Sequence, residues 1–137
     1  MSNIVLEIIA ATASRPDAVA MRHERNGQWQ DLTYRTLLAR IDALAAALVE
    51  LGVAPGDRIG IFAPNMPEWI IADYATMSVR GVTVPIYATS TADQVEAIVA
   101  DSGAKILFVG GAAERDAALE IVGRCPSLEW IVSLDPD

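Results

Sequence analysis

The stretch of residues 57–87 constrains the fold most, because it predicts a strand, a helix and a second strand in succession. Arg58–Phe62 is a short apolar run bounded by turn-forming residues, which is typical of a strand. Pro67 suits the first position of a helix that extends to Val79. The apolar residues of this helix face nearly every side, so we expect the helix to be buried. Val82–Ile86 follows as the second strand. A strand, crossover helix and strand of this length predict a right-handed parallel unit.

The rest of the chain alternates helices and strands in the same way. Before the central unit, the sequence predicts a helix over 3–13, a hairpin of strands over 18–24 and 28–33, and a helix over 34–51. After it, the sequence predicts a helix over 92–102, a strand over 106–109, a helix over 114–122 and a strand over 130–134. The alternation favours an α/β fold, with a parallel sheet, flanking helices and an N-terminal β-hairpin.

Turn and cap residues support these boundaries. Asn26-Gly27 tolerates the positive φ angles of a tight hairpin turn. Gly52 stands where a left-handed residue ends a helix. Thr91, followed three residues later by Gln94, predicts a capping box at the start of a helix.

Strand and helix periodicities place three sets of side chains together. Period two places three residues of the first strand on one face: Val19, Met21 and His23. The central helix carries three large core candidates at helical spacings: Trp69, Tyr74 and Met77. The helix over 34–51 has an apolar stripe spaced four, three, four and three residues apart: Leu37, Ile41, Leu44, Leu48 and Leu51.

Charge and composition exclude several classes of protein. The 137 residues include 18 acidic and 10 basic side chains, a formal charge of −8, which argues against nucleic acid or an anionic membrane as partner. It does not argue against small phosphate-bearing molecules. The single Cys125 excludes an internal disulfide and fits a reducing compartment. The apolar run over 4–11 is too short for a transmembrane segment, and we expect an amphipathic helix there.

Three motifs resemble those of the adenylate-forming, AMP-binding acyl-CoA synthetase superfamily. Leu32-Thr33-Tyr34-Arg35-Thr36-Leu37 is similar to the family's Leu-Thr-Tyr-x-Glu-Leu, except that Thr36 replaces the glutamate of a capping box. Asn65-Met66-Pro67-Glu68-Trp69 resembles the family's helix opening. Arg80-Gly81-Val82-Thr83-Val84-Pro85-Ile86-Tyr87 is similar to its Gly-x-x-x-x-Pro segment, although three residues, not four, separate Gly81 from Pro85. Residues 86–91 look most like the long-chain fatty-acid–CoA ligase branch.

The resemblance implies a two-step ligase that uses ATP, Mg²⁺ and CoA, with fatty acid and CoA as its substrates. It also implies that residues 1–137 are an incomplete N-terminal subdomain, part of the large N-terminal domain of such an enzyme. The family's phosphate loop, ending in Pro-Lys-Gly, and its C-terminal domain with a catalytic lysine are absent, and Lys105 is the only lysine. We therefore expect this N-terminal fragment to be inactive by itself and to bind no cofactor alone.

No catalytic, cofactor-binding or metal-binding residue is predicted within the chain. Tyr87, Thr89 and Ser90 are candidates for residues near a substrate channel, because α/β sheets bind ligands at the carboxyl ends of their strands. A plain loop is the competing interpretation of these three residues.

Other reactive or turn-forming residues receive structural interpretations. His23 and Cys125 lack the partners of a catalytic or metal site, so structural roles are favoured. Gly110-Gly111 lacks the spacing of a dinucleotide motif and is interpreted as a bare turn. Asp135 and Asp137 flank a proline and are interpreted as solvated.

Alternative functions remain open at this point. The first alternative is a stand-alone, non-catalytic α/β interaction module, although the strand ends lack the acidic residues of a receiver domain. The second alternative is a naturally truncated homologue. The resemblance implies that this segment packs against later strands and helices of a complete enzyme, so the fragment should expose an apolar face and an unpaired sheet edge. That would account for the high mean hydropathy, and we expect self-association as a dimer or larger assembly. We expect a cytoplasmic location, with peripheral membrane contact as an option for the full-length enzyme.

Overall fold

The structure is a computed structural model that describes residues 4–135. Its helices are α1 (Ile4–Ser14), α2 (Tyr34–Glu50), α3 (Pro67–Ser78), α4 (Ala92–Ser102) and α5 (Ala112–Ile121). Its strands are β1 (Val19–Arg25), β2 (Gln28–Thr33), β3 (Arg58–Phe62), β4 (Val82–Ile86), β5 (Ile106–Val109) and β6 (Trp130–Ser133). A short 3₁₀ turn, Val122–Arg124, follows α5. Asn3, predicted to begin the first helix, and Asp137 lie outside the described residues.

Four strands form one parallel sheet in the order β4-β3-β5-β6, and β1 and β2 form a separate antiparallel hairpin. The predicted α/β fold with an N-terminal hairpin is therefore confirmed. The central strands β3 and β5 are buried almost throughout, as parallel strands covered on both faces must be.

Helices cover both faces of the sheet. The apolar stripe of α2 and one side of α3 pack on one face, where Leu37, Ile41 and Leu48 are buried, as predicted. Trp69 and Tyr74 of α3 pack against the same cluster while staying partly exposed. Helices α4 and α5 pack on the opposite face through four buried residues: Val95, Val99, Ala118 and Ile121.

Helix ends follow the predicted cap chemistry at Thr91 and Gly52, whereas the end of α3 has a non-glycine residue with positive φ. Thr91 and Gln94 form both hydrogen bonds of the capping box, and Gly52 has a φ of +81° after α2. After α3, Arg80 takes the positive φ, at +61°, although glycine is its neighbour. A Cβ at Gly81 would lie 3.0 Å from the Thr76 side chain and 3.2 Å from the Thr76 carbonyl oxygen, so a larger residue would require its neighbours to shift slightly.

The period-two prediction for β1 fails at Val19, which does not share the half-buried face of Met21 and His23. A β-bulge lies between Val19 and Met21, and it turns the Val19 side chain outward, where it is 48% exposed. The half-buried residues that alternate along the strand are Met21, His23 and Arg25.

The predicted amphipathic character of the first helix is also wrong, because both of its sides are apolar. Ile8 packs partly against the core, but Ile4, Leu6 and Ile9 are about half exposed, and α1 has no buried residue. Helix α5 begins two residues before the predicted start at Glu114. Over residues 4–135, no helix combines the length and the apolar character needed to cross a membrane.

Candidate functional site

The carboxyl ends of the four parallel strands meet at one edge of the sheet, which we call the carboxyl edge. Strand β3 leads into Pro64 and Asn65, β4 into Tyr87, β5 into Gly110, and β6 towards Asp135. Helices α3, α4 and α5 begin at the same edge. This is where open α/β sheets bind ligands.

An apolar cleft of about 420 Å³ opens between the ends of β3 and β4. Its walls are mainly the rings and aliphatic carbons of Pro64, Trp69, Pro85, Ile86 and Tyr87, together with Ala63, Asn65, Ala88 and Thr89. Tyr87 is 85% exposed, so its ring is available to a ligand or to another part of a larger protein. Such a cleft suits an apolar chain or ring.

The structure brings the three candidate channel residues together. Tyr87 and Thr89 line the apolar cleft. Both of them, together with Ser90, also line an open groove along α4. The Ser90 N–H donates a hydrogen bond to the Tyr87 carbonyl oxygen at 2.9 Å, which fixes the turn between them. Their role in substrate binding stays a prediction.

A second, more polar cleft of about 740 Å³ lies between the hairpin and the start of α3. Residues 21–25 of β1 form one wall, residues 64–70 form the other, and Gly110 and Asp135 also line it. This polar cleft is not predicted from the sequence, because its two walls come from segments far apart along the chain.

Glu68 is the central charged group of the polar cleft. Its Oε1 lies 3.5 Å from Arg25 Nη2 and 3.9 Å from Arg40 Nη1, and its side chain is 16% exposed. Its Oε2 is buried without a hydrogen-bond partner, and so is Nδ1 of His23. His23 is half-buried in the hairpin, and no group of three or more metal-binding side chains occurs over residues 4–135.

The Gly110-Gly111 turn is closely packed at its first residue. A Cβ at Gly110 would lie 2.6 Å from Pro64 Cδ and 2.7 Å from Ala63 Cβ, so glycine is required there for close packing. Gly111 has an extended backbone that any residue can adopt. Close packing thus accounts for the glycine at position 110, and the bare-turn interpretation stays a prediction.

Cys125 lies in the core rather than at either cleft. It is 1% exposed and packs in the cluster formed by α4, α5 and the sheet. Burial raises the pKa of its thiol, with the Glu96 carboxylate adding to the effect, so the reactive thiolate is disfavoured.

Lys105 lies at the opposite, amino edge of the sheet, where the strands begin. Its Nζ donates a hydrogen bond to the Gly52 carbonyl oxygen at 2.7 Å and contacts Asp57 Oδ2 at 3.4 Å. The pKa of Asp57 is lowered, first by the hydrogen bond from the Ala54 N–H and then by Lys105 and Arg58, which outweigh the opposing effect of desolvation. The only lysine of the chain is therefore committed to structural contacts.

Comparison with known proteins agrees with the fold and the motifs. Residues 9–137 match the family model described as AMP-binding enzyme. The chain is 35% identical over 132 residues to the long-chain-fatty-acid–CoA ligase FadD15 of Mycobacterium bovis, covering 96% of this chain and 22% of that protein. It is 36% identical over 112 residues to fatty acyl-CoA synthetase A of Dictyostelium discoideum, covering 82% of this chain and 16% of that protein.

Solved structures are similar over nearly the whole chain. The N-terminal domain of FACL13 from Mycobacterium tuberculosis has a TM-score of 0.88 and 25% identity, covering 97% of this chain and 34% of that domain. The anthranilate CoA ligase AuaEII in complex with anthranoyl-AMP has a TM-score of 0.89 over 96% of this chain and 25% of its own, but its 23% identity supports the fold alone.

A parallel sheet of four strands with helices on both faces defines the chain as an α/β domain. Because the family model matches residues 9–137, the chain belongs to the AMP-binding enzyme family, as its motifs indicated. It spans about a fifth of the length of the curated relatives it matches.

Proposed function

We propose that residues 1–137 form the N-terminal subdomain of a long-chain fatty-acid–CoA ligase. The observation that carries this proposal is the 35% identity over 132 residues with a ligase of that name. In the complete enzyme, a fatty-acid carboxylate attacks ATP to give an acyl-adenylate and pyrophosphate. The thiol of CoA then displaces AMP to give the acyl-CoA. The complete enzyme would use Mg²⁺, reside in the cytoplasm and have the option of peripheral membrane contact.

The contribution of this chain to the enzyme is to support and border the substrate channel. Tyr87, Thr89 and Ser90 are the residues that we assign to that border. The apolar walls of the cleft beside Tyr87 support the assignment, because an alkyl chain is bound by burial of apolar surface rather than by hydrogen bonds.

The chain by itself is proposed to be inactive. Lys105 is held at the amino edge, and close packing accounts for Gly110, so we assign neither residue to the phosphates of ATP. No step of the reaction is assigned to residues of this chain.

A chimeric ligase tests the proposal. These 137 residues would replace the aligned segment of FadD15, and acyl-CoA formation from ATP, CoA and palmitate would be measured. We expect activity from the chimera and none from the 137-residue chain alone. A chimera that folds but stays inactive would contradict the assignment, and so would activity of the chain alone. Deletion of the same segment from FadD15 is the control for background activity.

The alternative function, a stand-alone interaction module, is favoured by one feature of the surface. Strand β6 is one of the two outer strands of the sheet, and its outer side pairs with no other strand over residues 4–135. The other outer strand, β4, carries Pro85, which has no N–H to donate. The outer side of α1 adds exposed apolar residues. We propose that the isolated chain self-associates, and sedimentation velocity at high concentration checks this. A clean monomer would contradict it.

A further inference from the structure

The outer half of the hairpin, residues 22–31, has little contact with the core. Strands β1 and β2 pair only with each other, and no residue of this outer half is buried. Leu32, at the base of the hairpin, is the only buried residue of either strand. An isolated two-stranded hairpin is marginally stable in water. Contacts with the rest of the domain must therefore hold the outer half in place.

Two half-buried side chains of β1, His23 and Arg25, line the polar cleft between the hairpin and α3. Arg25 meets the Glu68 carboxylate at the start of α3, and Arg40 of α2 approaches the same oxygen. The Glu68 carboxylate of α3 thus contacts both β1 and α2. Glu68 also carries its negative charge at the positive end of α3, where no side chain caps the helix.

The contact around Glu68 is incompletely satisfied. Its Oε2 and the Nδ1 of His23 are both buried without a hydrogen-bond partner. Unpaired buried polar atoms raise the free energy of the closed arrangement, and water would satisfy both atoms if the hairpin moved away. The closed position is therefore held by few contacts and opposed by a local cost.

The base of the hairpin is held differently. The Tyr34 N–H donates to the Ala18 carbonyl oxygen at 3.1 Å, and the Arg35 N–H donates to the Pro16 carbonyl oxygen at 2.9 Å. These backbone bonds and the buried Leu32 do not involve Glu68. A hinge at the base can therefore stay intact while the outer half moves.

We propose that the outer half of the hairpin is a flap over the polar cleft, and that Glu68 is the latch that holds it closed through Arg25. Because residues 22–25 form one wall of this cleft, release of the latch widens its entrance. The inference concerns this chain alone and does not depend on the proposed ligase activity.

Hydrogen exchange measured by mass spectrometry tests the latch. Glu68→Gln and Arg25→Gln should each accelerate exchange of the paired amides in residues 22–31 by about three- to tenfold, because local opening becomes easier. Exchange in β3 and β5 should stay unchanged. Asp31→Asn is the matched control, since it removes the exposed Arg22–Asp31 ion pair inside the hairpin but leaves the latch intact. We expect less than about a twofold change in that variant.

Three results would overturn the proposal. Unchanged exchange of the hairpin in both latch variants would show that Glu68 does not hold it. Acceleration confined to α3 would show that Glu68 serves only its own helix. Equal acceleration in the hairpin, β3 and β5 would indicate a loss of global stability instead of local opening.

Discussion

The two edges of the parallel sheet differ in how their loops are held. At the amino edge, two cationic side chains bind backbone carbonyl oxygens: Lys105 binds Gly52, and Arg58 Nε donates to Ser102 at 2.7 Å. These carbonyls lie at the ends of α2 and α4, where the helix dipole favours positive charge. At the carboxyl edge, by contrast, the loops border open clefts, and Tyr87 is largely exposed.

This difference separates stability from function within one sheet. At the amino edge, charged side chains bind the ends of helices and the turns that follow them. The carboxyl edge presents apolar and polar surface that the fold itself does not need. We therefore expect substitutions at the amino edge to change the free energy of unfolding, and exposed residues at the carboxyl edge to change binding or activity.

Gly110 is the strongest challenge to this division, because it lies at the carboxyl edge and is needed for packing. Gly110→Ala should reduce the free energy of unfolding by about 1–3 kcal/mol, since its Cβ would overlap Pro64 and Ala63. Gly123→Ala is the matched control, because a Cβ there meets nothing within 4 Å. Urea denaturation measures both, and an equal stability of the two variants would disprove the packing role.

Lys105 tests the amino edge directly. Lys105→Met should reduce the free energy of unfolding by about 1–2 kcal/mol, because the Gly52 carbonyl and the Asp57 carboxylate lose a charged partner. The control is Arg115→Met, which removes an exposed ion pair with its neighbour Asp116 and should cost little. If both variants unfold at the same urea concentration, the amino edge is not held in the way described.

Asp57 extends the same test to pH. Its pKa is lowered in the folded state, so the stability it contributes is present above the unfolded pKa of about 3.9 and is lost as the pH falls through the folded value. Asp57→Asn should therefore lower stability at pH 6 and show a shallower loss of stability below pH 4. Urea denaturation between pH 6 and pH 3 checks this, and parallel curves for the two proteins would contradict it.

Local features of the fold were predictable from the sequence because they depend on neighbouring residues. The β3–α3–β4 unit, the hairpin turn and the capping box at Thr91 all rest on short-range patterns. The bulge after Val19 was not predictable, because it depends on how β1 meets its partner strand. The strand order and the polar cleft also depend on contacts between distant segments. For example, the meeting of Arg25 with Glu68 leaves no periodic signal in the sequence.

Tyr87 offers the sharpest test of the carboxyl edge, because stability and activity should separate there. Its side chain is 85% exposed, so Tyr87→Ala should change the free energy of unfolding of the isolated chain by less than about 0.5 kcal/mol. In the chimeric ligase, the same substitution should raise the KM for palmitate if the ring borders the channel. Leu119→Ala is the control: this side chain of α5 is 55% exposed and lines neither cleft, so KM should stay unchanged. If Tyr87→Ala also leaves KM unchanged, Tyr87 belongs to a plain loop, and the substrate channel must be bordered by other residues.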